Sequence, residues 1–165
     1  MCFKTKLKIG QVINNKELMK EFGVANSGGM RRSKKNNVLV IISDHTKGLY
    51  DDKYYGKELH YTGMGLRGDQ DINKQQNKTL AKAKENGIKI HLFEVFEPQK
   101  YIYRGLVELN GEPYQEEQID EEGNKRHVWM FPLILKEYEA IIDKNIYEVY
   151  YKKLERKIKS YLKTN

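Results

Sequence analysis

Tyr50–Leu80 reads YDDKYYGKELHYTGMGLRGDQDINKQQNKTL, and the rest of the chain is organised around it. Tyr50 and Tyr61 stand on either side of a turn, Asp51 and Asp52 follow the first tyrosine, and a glycine-rich run follows the second. Two aromatic rings, a carboxylate and flexible backbone suit the gripping of one flat, polar, aromatic ligand. Gly63, Gly65 and Gly68 place three glycines within six residues, which implies positive φ or close backbone approach. They also spell GxGxxG, but no strand–helix–strand unit surrounds them, so the dinucleotide-binding fingerprint is not supported.

The chain has 165 residues, enough for one domain with one sizeable core. Charged residues make up 32%, yet apolar runs recur throughout, which argues against disorder. Net charge is +7, which suits a polyanionic partner and equally a lysine-rich soluble protein; charge alone leaves both open. Cys2 is the one cysteine, so neither a disulfide framework nor a zinc site built on several cysteines can form. No apolar stretch approaches the roughly 20 residues of a membrane span, and the chain is read as cytoplasmic, with no membrane partner.

Outward from the centre, Asn15 is expected to cap a short helix with an apolar face of Leu18, Met19 and Phe22, stopped by Gly23. Val24–Ser33 reads as a loop: Gly28 and Gly29 free the backbone, and Met30, Arg31 and Arg32 follow at once. It is either an ordinary connection with solvated arginines or a loop that approaches a nucleic-acid backbone with Met30 as an apolar wedge. Val38–Ile42 is a buried strand, Ser43–Gly48 a loop, and Leu59–Thr62 a short extended piece. Gln76–Glu85 is a helix with Asn77 near its cap, ending at Asn86-Gly87. Ile88–Phe96 and Tyr101–Leu109 are antiparallel strands. Glu112–Arg126 is a polar, acidic stretch with a hairpin tip at residues 120–124, and Val128–Leu135 a last strand with Pro132 at an edge or bulge. From Lys136 the pattern turns helical and basic. Ile141, Ile142, Tyr150, Leu154, Ile158 and Leu162 form its apolar stripe.

The order of these pieces resembles the SET- and RING-associated (SRA, or YDG) domain, in the bacterial form found in modification-dependent HNH restriction endonucleases. The matching features run from Ile9-Gly10 through Gly28-Gly29-Met30, Tyr50-Asp51-Asp52, Tyr61-Thr62-Gly63-Met64-Gly65, Gly68-Asp69-Gln70 and Asn77-Lys78-Thr79-Leu80-Ala81. They continue through His91–Phe96, Tyr103-Arg104-Gly105 and Gly111-Glu112-Pro113-Tyr114 to Val128–Leu133. Each is weak alone; their order and spacing together are specific.

The resemblance implies an α+β fold: a curved, partly barrel-like, mostly antiparallel sheet with flanking helices over residues 1–135. Residues 136–165 would be a basic amphipathic C-terminal helix, packed on the domain or leading to a partner. It implies a reader of 5-methyl- or 5-hydroxymethylcytosine in double-stranded DNA that flips the base into a pocket. Tyr50 and Tyr61 would stack on the base and Asp52, in preference to Asp51, would read its Watson–Crick edge. Thr62, Gly63 and Gly65 would complete the pocket. Gly29, Met30, Arg31, Arg32 and Arg67 would contact DNA, with Arg67 or Met30 plugging the gap left in the duplex, because the long basic finger of eukaryotic members is absent. The physical chemistry is compatible: aromatic faces return roughly 1–3 kcal/mol of stacking per base, and a carboxylate suits the N4 amino donor of cytosine.

The resemblance implies no cofactor and no metal, and no catalytic set is evident in the residues. Asp44-His45 invites a nuclease reading, yet no second histidine lies at HNH-like spacing, and Glu94 has no convincing carboxylate partner. The acidic run Glu112, Glu116, Glu117, Asp120, Glu121 and Glu122 is read as a solvated loop. The expected function is therefore a binding module that works with a nuclease domain or subunit. A metal-dependent nuclease and an RNA-binding relative of the same fold are the alternatives.

Overall fold

The computed structural model describes residues 2–46, 50–137 and 144–164. Among these, nine strands and three helices follow one another along the chain: β1 (Val12–Ile13), α1 (Asn15–Phe22), β2 (Met30–Ser33), β3 (Val38–Asp44), β4 (Lys53–Tyr55), β5 (Glu58–Thr62), α2 (Gln75–Ala81), β6 (Lys89–Glu97), β7 (Lys100–Leu109), β8 (Tyr114–Ile119), β9 (Lys125–Leu135) and α3 (Lys144–Thr164). They build one mixed sheet in the order β2-β3-β6-β7-β9-β5-β4, with β1 on β7 and β8 on β9. Every described pairing is antiparallel except β3–β6. A parallel pair needs a long crossover, and here that crossover carries β4, β5 and α2.

The sheet does not close, but it curls. Tyr61, on β5, donates from its hydroxyl to Ile42 O of β3 at 3.0 Å, although β6, β7 and β9 separate those two strands along the sheet. The concave side is filled by Leu39, Ile41, Leu59, Ile90, Leu92, Phe131 and Leu133, with Leu80 of α2 beneath them. On the other face α1 sets Leu18 and Phe22 against Val38, Val40, Phe93 and Tyr103. Full burial of a side chain such as Phe22 stabilises by about 1.5–3 kcal/mol.

Local chemistry accounts for the element ends, and some differ from expectation. The cap of α1 is Asn14, not Asn15: Asn14 Oδ1 accepts from Glu17 N at 2.8 Å and Glu17 Oε1 accepts from Asn14 N at 3.2 Å, a reciprocal capping box. Gly23 ends the helix in the left-handed region. Asn15 is spent elsewhere, accepting from Arg31 Nη1 at 2.6 Å. Strand β3 runs two residues further than its apolar run because Ser43 turns inward to a partner. Helix α2 is shorter than expected and Asn77 does not cap it; its side chain bonds the preceding loop instead. The polar stretch after Pro113 contains strand β8, exposed along most of its length, which needs no apolar face because β9 supplies its ladder. Pro132 stands at a local edge, as expected: it lies opposite His60 on β5, and on the other side of β9 it faces the gap where β8 has ended and β7 has not begun. Its missing N–H therefore costs the ladder little. Ile141 and Ile142, expected on the apolar stripe, lie outside the described residues, as does Gly48 at the end of the expected Ser43 loop.

Candidate nucleic-acid interface

Curling brings the two distant parts of the sheet to a seam, and the segment that opens the Tyr50–Leu80 stretch bridges it. Asp52 lies just before β4. Its Oδ2 accepts from Ser43 Oγ on β3 at 2.7 Å, and its Oδ1 accepts from Thr62 N on β5 at 2.7 Å. One carboxylate thus ties β3 to β5. Burial pushes the Asp52 carboxyl above its ordinary range, and the bonds from Ser43 and Thr62 oppose that rise.

Tyr61 lies beneath it, 4% exposed, with its hydroxyl donating to Gly29 O at 2.9 Å and to Ile42 O. Burial pushes this phenol well above the usual value, and the nearby Asp52 and Tyr50 push the same way. Tyr50 is half-buried, and its hydroxyl pairs with the Gly65 backbone. Burial raises its phenol too, with Arg126 nearby pulling it back. Tyr50, Asp52 and Tyr61, selected in the sequence, therefore share one site.

The glycine-rich run has a different job from the one expected. At Gly63 a Cβ would meet Asn77 Oδ1 and Gln70 Oε1 at 2.9 Å and Phe131 at 3.2 Å, so the space beside it is filled by protein. Gln70 donates to Gly63 O at 2.6 Å and Gly65 O at 3.1 Å, and accepts from Trp129 N at 2.9 Å. Asn77 accepts from Met64 N at 2.7 Å and donates to Met64 O at 3.1 Å. Arg126, almost wholly buried, donates from Nη1 to Gly65 O and to Gly68 O. These three side chains fix the loop that holds Tyr50. Thr62 likewise spends its amide on Asp52, while its hydroxyl meets Met130 Sδ at 3.6 Å. Gly63→Ala is expected to destabilise the fold by about 1–3 kcal/mol through overpacking alone, as a lowered urea midpoint with unchanged m would show.

The expected DNA-contact loop is also reassigned in this structure. Met30 is 4% exposed and packs in the concave core, so it cannot act as a wedge while β2 stays in the sheet. Arg31 is buried, donating from Nε to Gly28 O and from Nη1 to Asn15 and Ala25 O. Arg32 closes the β2–β3 turn through Ser33 O, Val38 O and Asn37 Oδ1. Gly29 stays at the rim, its carbonyl shared by Tyr61 and Ile42 N. Arg67 is exposed, in ion pairs with Glu121 and Glu122.

Sequence reading missed a polar wall behind Asp52. Ser43 Oγ lies 3.3 Å from His45 Nε2, which lies 3.7 Å from Glu94 Oε2. Glu94 is fully buried; it accepts from the Tyr54 hydroxyl and faces Arg104 Nε at 3.6 Å. His45 stacks on Phe96, ring centroids 4.7 Å apart. The one available signal was period-2 alternation: Ser43 and His45 follow Leu39 and Ile41, and Glu94 and Phe96 follow Ile90 and Leu92. Asp44 does not join His45, because it accepts from Thr46 N and Oγ1. Among the described residues no three His, Cys, Asp or Glu side chains converge as a metal site, and no helix is long and apolar enough to cross a membrane.

Solved SRA domains share this fold. The solved sulfur-binding and SRA domains of ScoMcrA, complexed with phosphorothioated DNA, match with TM-score 0.63 and 16% identity, covering 79% of this chain and 40% of that one. The SRA domain of SUVH5 in complex with hemi-methylated CG DNA matches with TM-score 0.61 and 18% identity, over 85% of this chain and 97% of that one. The modification-dependent restriction endonuclease TagI matches with TM-score 0.61 and 20% identity, over 84% and 54%. The chain thus spans less than half of the ScoMcrA chains it matches. No curated protein sequence matches it. The family model for the ScoMcrA-like SRA domain matches residues 9–150, and the chain belongs to the ScoMcrA-like SRA domain family.

Proposed function

We propose that this chain reads a 5-modified cytosine in double-stranded DNA by flipping the base between Tyr50 and Tyr61 onto Asp52. The observation that carries the reading is the fixed Asp52 carboxylate, held by Ser43 and the Thr62 amide at the seam. A carboxylate positioned by two donors keeps lone pairs free for a third, and cytosine offers its N4 amino group. Tyr61, anchored through its hydroxyl, serves as the rigid floor. Tyr50, half-buried and tethered through its hydroxyl to the Gly65 backbone, is the face that opens. Unstacking the base costs a few kcal/mol, which the two ring faces and the charged hydrogen bond offset. The relatives support a modified-DNA ligand: the SUVH5 domain is bound to methylated DNA and the ScoMcrA fragment to phosphorothioated DNA. TagI and ScoMcrA, as restriction endonucleases, support a nuclease domain or subunit as the partner that cuts.

The test is a fluorescence-anisotropy titration at fixed salt. It uses one duplex with cytosine, 5-methylcytosine or 5-hydroxymethylcytosine at a single central position. A preference of tenfold or more, about 1.4 kcal/mol, is expected for one modified form, and Tyr50→Ala should reduce it toward unity with the fold intact. Equal binding to all three would refute the reading. Metal-dependent nicking of methylated plasmid by the pure chain would refute its non-catalytic part.

A further inference from the structure

Helix α3 lies against the mouth of this site. Lys157 Nζ is 2.6 Å from Asp51 Oδ1, and Lys153 Nζ is 3.3 Å from His45 Nδ1. His45 stands one hydroxyl away from Asp52, through Ser43. Both lysines are thus set beside the carboxylates that the proposed base would meet. Between Tyr151 and Thr164 the helix carries six cations, Lys152, Lys153, Arg156, Lys157, Lys159 and Lys163, against one anion, Glu155. Lys153 is half-buried, and burial together with Lys157 and Arg156 disfavours its charge, which Asp51 and Asp52 partly restore.

A nucleotide flipped into the site brings its flanking phosphates to this mouth, where Asp51 and Asp52 repel them. Cations are needed there; Arg31 is spent inside the fold and Arg32 on the β2–β3 turn, while Arg67 is paired with Glu121 and Glu122. We propose that α3 is part of the DNA-binding surface, with Lys153 and Lys157 holding the phosphates on either side of the flipped nucleotide. This rests on the assignment of the base site to Tyr50, Asp52 and Tyr61. When DNA binds, Lys157 exchanges Asp51 for a phosphate and Lys153 turns from the His45 imidazole to another.

The experiment is a salt titration of the full chain and its Lys153→Gln/Lys157→Gln variant, on modified and unmodified duplexes. Each phosphate contact contributes about 0.9 to the slope of log K against log salt, so the double variant is expected to lose about 1.8 of slope. Its affinity should fall more on the modified duplex, where flipping brings both phosphates to the lysines, than on the unmodified one. Lys153→Arg/Lys157→Arg should keep the wild-type slope. An unchanged slope in the glutamine variant would overturn the proposal, leaving the lysines as neutralisers of Asp51. Tighter binding would overturn it in the other direction, making α3 a strap that DNA displaces. Failure of the base-site reading shows separately, as a preference of one in the wild-type chain, whereas the lysine contacts are read from the change of slope in the variant.

Discussion

Asp52→Ala is expected to weaken binding to the modified duplex by about 1.5–3 kcal/mol, the range for a hydrogen bond to a charged group, or roughly tenfold to 150-fold. Binding to unmodified DNA, which rests on phosphate contacts, should change little. The same substitution removes the acceptor for Ser43 Oγ and the Thr62 amide. The amide of Thr62, a buried residue, then loses its partner, which costs about 1–3 kcal/mol of stability. Asp52→Asn separates the two effects. Its carbonyl still accepts from Thr62, and its amide donates to a rotated Ser43 hydroxyl, so the seam survives while the charge is lost. Anisotropy titrations paired with urea unfolding measure both. Full retention of the preference for modified DNA in Asp52→Ala would show that the carboxylate does not read the base. A preference lost only in step with stability, with Asp52→Asn like wild type, would make Asp52 purely a tie between strands.

The second large effect concerns acid stability and lies on the opposite face of the sheet. His91 packs against Phe3, Phe22 and Tyr103, with Nδ1 2.8 Å from the Tyr103 hydroxyl and Nε2 buried without a hydrogen-bond partner among the described residues. Burial, with Lys89 adding to it, lowers its pKa from 6.5 to about 4. An unfolded chain therefore takes up a proton between pH 6.5 and 4 that the folded chain refuses. Above pH 6.5 this group costs nothing; as pH falls toward 4 the folded state loses about 3 kcal/mol relative to the unfolded one. That is a large share of the 5–15 kcal/mol typical of a domain. His91→Phe cannot titrate, so its stability should fall less steeply over that range, by up to one proton's worth of slope. Urea midpoints of both proteins at half-unit steps of pH measure the difference, and parallel curves would remove His91 as the cause.

Much of the fold was legible because its signals are local. Gly23 ends α1, the apolar run Val38–Ile42 is β3, and the Tyr101–Leu109 alternation answers Ile88–Phe96 as expected. Signals failed where a neighbouring element, rather than the segment itself, supplied the stabilisation. Strand β8 has no apolar face and exists because β9 pairs with it. Asn15, expected as the cap of α1, instead accepts from Arg31, sixteen positions away.

For the site, the sequence by itself determined the kit: two tyrosines, a carboxylate between them, and a glycine-rich loop. Only the tertiary structure decided how that kit is divided. Gly63 faces Gln70, Asn77 and Phe131, because a loop with little side-chain mass is held by buried amides from elsewhere. Met30 and Arg31 look like surface groups in a glycine-rich loop, yet the β2–β3 pairing carries them inward. Ser43, His45 and Glu94 carry no motif; they became neighbours of Asp52 when the sheet curled until β5 met β3. Hydrogen-bond partners nine to forty positions apart are set by that curvature, and curvature is a property of the whole sheet that no single stretch of sequence spells out.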